Sequence, residues 1–202
     1  MTKFTFPRTS GLFCKILLVC VVAGAARAEA PRQSPAFPID EVIGQMSSSL
    51  KADKRAARNL ELARFLKMVG VKEVKSDLRT ALASHMREDP EWKKPISSDA
   101  RVLLAKLRLM LEKHYKEESY ESAWIADHLG EKDKAKATLR ALFDKEHDKI
   151  TKMKESERAT EGRTSLGIAA EIYAALAPRL SATERTALDD RMKDLKAKLD
   201  PK

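Results

Sequence analysis

The stretch "SYESAWIADHLGEKDKAKATLRALFDKEH", Ser119 to His147, decides the fold. Ile125, Ala126 and Leu129 fall on one helical face, and Gly130 follows them directly. Glycine enters the left-handed conformation that ends a helix without the steric cost carried by a side chain. Beyond it, Ala135, Leu139, Leu142, Phe143 and Ile150 lie along one side of a second helix. The stretch therefore reads as helix, glycine corner, helix. Such a hairpin serves either as two core helices or as half of a partner-binding repeat.

The same period extends outward from it. Ile39, Val42, Ile43, Met46 and Leu50 share a face. Leu60, Ala63, Leu66 and Val69 form a stripe that Leu62 and Phe65 widen, with Asp53 placed to cap it and Gly70 to close it. Val71, Val74, Leu78, Leu82 and His85 mark a third helix. Spacings of three and four define amphipathic helix, and sustained two-residue alternation is missing. In "DPEWKKPISS", Asp89 to Ser98, Pro90 and Pro95 prevent helix continuation. Ser97, Ser98 or Asp99 then offers an oxygen to the free amides of a new helix start. "RVLLAKLRLMLEKHY", Arg101 to Tyr115, is apolar on more than half its circumference and is expected at the bundle centre.

After the hairpin a long charged helix runs toward Lys154, followed by "TSLGIAAEIYAALAP", where Gly167 and the alanines, with Gly162 just before them, permit close helix contact. Ser181 and Glu184 have the spacing of a capping box. Leu188, Met192, Leu195 and Leu199 then form a narrow seam that covers a groove of the bundle or docks on a partner helix. The fold class that follows is all-α: a compact bundle of about seven or eight helices built from helical hairpins. It occupies residues 39–202 as a single domain.

The first residues, "MTKFTFPRTSGLFCKILLVCVVAGAARA", read as a signal peptide over residues 1–28. Lys3, Arg8 and Lys15 supply a positive leader, Ile16 to Ala25 an apolar run, and Ala26-Arg27-Ala28 a small-x-small cleavage site. The run falls short of the ~20 apolar residues that a permanent bilayer anchor needs. A proline-rich flexible linker, residues 29–38, follows. Cys14 and Cys20 both lie in the leader, so the mature chain would hold no disulfide, thiol nucleophile or cysteine-based metal site. Export without disulfides fits a bacterial periplasm, or secretion. Removing the leader cations Lys3, Arg8, Lys15 and Arg27 from 39 basic residues leaves 35 against 30 acids, a net charge of +5 rather than +9. With acids interleaved throughout, nucleic acid is not an expected partner, because its binders carry basic patches with stacking aromatics. Weak attraction to an anionic envelope surface is compatible with this charge.

From Ala126 to Phe143 the order small residue, Leu-Gly, Ala135, then Leu and Phe resembles the later half of a tetratricopeptide repeat. Earlier positions depart from it: Ser119, Ser122 and Ala123 stand where that repeat has a large aromatic and Leu-Gly. "LARFLKMVGVKEVKSDLRTAL" has a related helix-Gly-helix form, but Gly70 and Gly130 are sixty residues apart, whereas stacked repeats keep a fixed period of about thirty-four. The resemblance implies a partly tetratricopeptide-like fold with a concave binding groove. "LSATERTALDDRMKDLKAKL" is similar to the Leu-Thr-x-x-Gln segment of small periplasmic stress chaperones, with Ser181 and Arg185 departing from it. That resemblance implies a chaperone.

No reaction centre emerges. His85, His114, His128 and His147 form no His-x-x-x-His or Glu-x-x-His arrangement. The nearest pairings are Asp144 with His147, His114 with Glu118, and Asp127 with His128. There is no nucleophile elbow and no glycine-rich phosphate loop. No catalytic, cofactor-binding or metal-ligating residue is assigned, and no cofactor is expected. The sequence points to an exported, non-enzymatic interaction or scaffold protein with a protein partner. A periplasmic chaperone and a carboxylate/histidine metal protein are the alternatives. Candidate partner contacts are Trp92, Trp124 and the seam Leu188, Met192, Leu195 and Leu199, since large aromatics dominate interface energetics when exposed.

Overall fold

The computed structural model describes residues 36–50 and 54–199. The leader, most of the linker and the Asp53 cap lie outside the described residues. Within them the chain is all-α, with eight helices of nine residues or more: α1 (Ile39–Ser48), α2 (Lys54–Met68), α3 (Leu78–Arg87), α4 (Ser98–His114), α5 (Tyr120–His128), α6 (Lys132–Lys152), α7 (Arg163–Leu176) and α8 (Ala182–Leu199). Helix α1 packs on α2, α2 on α4, α5 on α6 and α6 on α7, while α8 lies against α6 and α7.

The start of α3 differs from the expectation that Val71 and Val74 belong to it. Two short strands intervene: Phe37–Pro38 (β1) pairs antiparallel with Glu73–Val74 (β2), matching Phe37 to Val74 and Pro38 to Glu73. The Ile39 N–H also donates to the Lys72 carbonyl at 2.8 Å. Asp77 then sets the helix boundary. Its carboxylate accepts the Arg79 and Thr80 amides at 3.0 and 3.2 Å and the Thr80 hydroxyl at 2.6 Å, satisfying donors that a helix start leaves open.

The centre is α5, not α4. Every residue from Tyr120 to His128 is buried. Helix α4 buries only Ala100, Leu103, Leu104, Leu107 and Leu111, the face turned to its neighbours. Four of the nine α5 residues carry polar side chains that burial would disfavour alone. Partners supply the compensation: Arg87 pairs with Glu121 at 2.7 Å, and Arg179 and Lys132 pair with Asp127 at 2.9 and 2.8 Å. At its N-terminus, Ser119 and Ser122 exchange amide–hydroxyl bonds of 3.1 and 3.2 Å. At the other end, Gly130 takes φ +92° and turns the chain into α6, as the hairpin reading requires.

Of the two late glycines, only Gly162 marks a close approach. It ends a π-helical turn, Arg158–Gly162, that leads into α7. A Cβ there would sit 2.5 Å from Leu199 Cδ2, whereas one at Gly167 would meet nothing within 4 Å. The Ser181–Glu184 capping box is present: Ser181 N–H donates to Glu184 at 2.9 Å, and the Glu184 N–H to Ser181 Oγ at 3.4 Å.

Candidate functional site

Two surfaces stand out. The first is a cleft of about 240 Å³ where the C-terminus of α2, α3, the Asp89–Ser97 loop and α5 meet. Both tryptophans of the chain, Trp92 and Trp124, line it, with His85, His128 and Lys94. Trp92 has φ +54°, the only positive φ at a non-glycine residue among the described residues. A bulky residue held there costs on the order of 1–3 kcal/mol and persists where its surroundings over-determine it. They do. Its Nε1–H donates to the Tyr120 hydroxyl at 2.8 Å, and the Arg179 guanidinium covers the ring 4.3 Å from its centroid.

The facing wall is as fixed. His128 stacks on Trp124 with ring centroids 3.9 Å apart and 26° between planes. His128 Nδ1 lies 3.0 Å from the Trp124 carbonyl. A carbonyl only accepts, so the ring donates in that contact, and a second backbone hydrogen bond joins His128 to Lys94. Burial pushes the pKa values of His128 and His85 below the ordinary imidazole value, so both rings are neutral at pH 7. For Asp127, burial acts to raise the pKa, yet hydrogen bonds from Arg179 and Lys132 outweigh it and hold the carboxyl below its ordinary value. Asp127 is thus a permanent anchor for Arg179. Lys94 is the cation of the cleft. Asp89, on the same lining, already accepts the Lys94 backbone N–H at 2.5 Å.

The second surface is the outer side of α4. Val102 is 58 % exposed and Leu109, seven positions on, 81 %. Val102 and Met68, which lies on α2 and is 48 % exposed, line a shallow groove of about 630 Å³, and Leu109 lies outside that lining. Charges frame it: Glu61 is held by Arg64 at 3.0 Å and Lys67 binds Asp40 at 2.5 Å. Lys106 lines the groove, and neither it nor Arg101 has an ion partner among the described residues.

The structure places the six candidate contacts elsewhere than at an open surface. Trp92, Trp124, Leu188, Met192, Leu195 and Leu199 are all buried within the one core. The α8 seam is satisfied by α6, α7 and the π-helical turn. Only the two tryptophans come together, as walls of the cleft. The histidine–acid pairings do not form: Asp144 binds Arg191 at 2.6 Å, Asp127 binds Arg179, and His114 meets Arg79 at 3.0 Å. Among the described residues no group of three or more His, Cys, Asp or Glu side chains could hold a metal ion, and no helix is long and apolar enough to cross a membrane. Sequence reading missed His85, His128, Lys94 and Arg179 as a set, because they come from separate elements. The exposed pair Val102 and Leu109 carried a signal, a second apolar stripe on a helix that needs only one. Comparison with protein-family models, curated proteins and solved structures gives no match.

Proposed function

We propose that this chain is an exported, non-enzymatic interaction protein of the bacterial envelope whose partner docks on the outer side of α4. The observation carrying this reading is the exposure of Val102 and Leu109 on one line of α4, opposite the face that α4 contributes to the core. Water contact over such a stripe is unfavourable by ~25 cal/mol per Å² of apolar area, a free energy that association recovers. The occupant is an amphipathic helix of another protein. Val102, Ala105 and Leu109 repeat at three and four, the spacing that meets an apolar helical stripe. Acidic flanks on that helix would complement Arg101 and Lys106, neither of which has an ion partner among the described residues. The leader pattern in residues 1–28 supports the compartment.

A photo-crosslinking residue at position 109, introduced into the protein expressed in a bacterial envelope, tests this. A discrete adduct with a helical segment of another protein, abolished by Val102→Glu or Lys106→Glu, is the predicted result. Retention of the adduct in those variants, its absence, or an adduct of two copies of this chain alone would contradict the reading.

A further inference from the structure

We infer that the exposed side of α4 is one strand of a two-helix coiled coil, which receives a large apolar residue of an acidic partner helix and refuses a second copy of this chain. The inference rests on the docking reading above and defines its partner by register and charge. Register comes first. In a heptad, apolar residues at a and d form the seam, and e and g beside it carry the charges that choose the partner. Counting from Val102 at a, Ala105 falls at d, Lys106 at e, Leu109 at the next a and Lys113 at the next e. All five are exposed. Val102, Ala105, Lys106 and Leu109 stand at i, i+3, i+4 and i+7, the corners of the hole into which a facing helix inserts a knob. The small Ala105 leaves that hole deep, so it suits Leu, Met or Phe. The seam stops at the next d position, Glu112, which Arg108 holds at 2.7 Å.

Charge selects the partner. Lys106 and Lys113 at e, with Arg101 at g, have no ion partner among the described residues. Arg108, the other g residue, is already taken by Glu131 at 2.9 Å and by Glu112. The charges left available beside the seam are therefore all positive. A second copy would set cation against cation along both flanks, whereas acids at e and g of another helix meet them. A lipid surface fits less well. A helix lying in a membrane interface needs a broad apolar face, and this seam holds three apolar residues, the middle one alanine.

Synthetic helical peptides of about three heptads serve as probes, read by the ¹⁵N amide signals of Ala105, Lys106 and Leu109. One carries Leu at a and d with Glu at e and g; a second has Lys in place of Glu, and a third Ala in place of Leu. The acidic Leu peptide is predicted to move the three signals saturably. The basic peptide and the Ala peptide should each bind at least about tenfold more weakly, the first for its like charges and the second for its missing knob. Lys106→Glu combined with Lys113→Glu, at two exposed positions, should reverse the preference between acidic and basic peptides. Ala105→Leu should fill the hole and weaken the acidic peptide about tenfold. Equal binding of acidic and basic peptides, an acidic peptide unweakened by Ala105→Leu, or no binding by any peptide would overturn the assignment. So would phosphatidylglycerol vesicles that move the signals where the acidic peptide does not. Crosslinking at position 109 fails separately: an adduct with a helix lacking acidic flanks would sink the charge code and keep the docking reading, whereas peptide recognition without an adduct would do the reverse.

Discussion

Arg179 lies over Trp92, its guanidinium 4.3 Å from the indole centroid, while its Nε donates to Asp127 at 2.9 Å. This one side chain ties the 3₁₀ turn after α7, Ala177–Arg179, to the Asp89–Ser97 loop and to the buried end of α5. It also explains how a tryptophan is kept at positive φ.

Replacing Arg179 by Ala removes the stacking, worth about 1–2 kcal/mol where water is excluded, and leaves Asp127 to Lys132 alone. A loss of about 2–3 kcal/mol in urea unfolding is predicted. Lys at this position should recover only part of it, since an ammonium cannot stack flat on the indole while pairing sideways with a carboxylate. Full recovery by Lys would show that charge alone mattered.

Ser165 supplies a test with the opposite sign. It is fully buried in α7 and its hydroxyl has no hydrogen-bond partner among the described residues. An unsatisfied buried hydroxyl costs roughly 1–3 kcal/mol. Ser165→Ala should therefore raise stability by about 1 kcal/mol, read as a higher urea midpoint. A fall of similar size would mean that the hydroxyl is satisfied.

Acidification should weaken the fold through His85 and His128. Their folded pKa values lie below the unfolded value because burial disfavours the cation. As pH drops below about 6.5, the unfolded chain takes up protons that the folded chain refuses, so stability falls until the lower folded values are passed. Near His128 the opposing charges are Asp127 and Lys132; near His85 they are Glu88 and Lys94. Asp77 and Asp127 add a later loss: their stabilisation is present above the ordinary carboxyl pKa and disappears as pH falls through their lowered folded values. A urea midpoint that is flat or rises from about pH 7 to about pH 5 would contradict this.

Local chemistry was legible in the sequence, and tertiary compensation was not. Gly130 turns the hairpin, Ser97 caps α4 through the Ala100 amide at 3.1 Å, and Ser181 with Glu184 caps α8, each within a few residues. The central helix escaped notice because "YESAWIADH" shows four polar side chains. Their burial depends on Arg87, Arg179 and Lys132, residues outside the helix. Conversely, α4 looked central because its apolar residues cover most of its circumference, whereas Val102, Ala105 and Leu109 form a second stripe that meets solvent. The cleft was half legible: both tryptophans were candidates and His128 lies one turn from Trp124 on α5, but His85 joins them only through packing of α3 against α5. The α3 boundary was misplaced because Val71 and Val74 keep a helical spacing while β-pairing with Phe37 claims the backbone.

The account turns on α4 having a surplus apolar face and α8 having none. Urea unfolding of two matched variants, Leu109→Glu and Leu195→Glu, compares them directly. Leu109 is 81 % exposed and Leu195 fully buried. Leu109→Glu should stay within about 0.5 kcal/mol of the parent, as surface changes do. Leu195→Glu should lose about 4 kcal/mol or more by burying an unpaired charge. Equal losses, or a folded Leu195→Glu beside a collapsed Leu109→Glu, would contradict the account and return the docking face to α8.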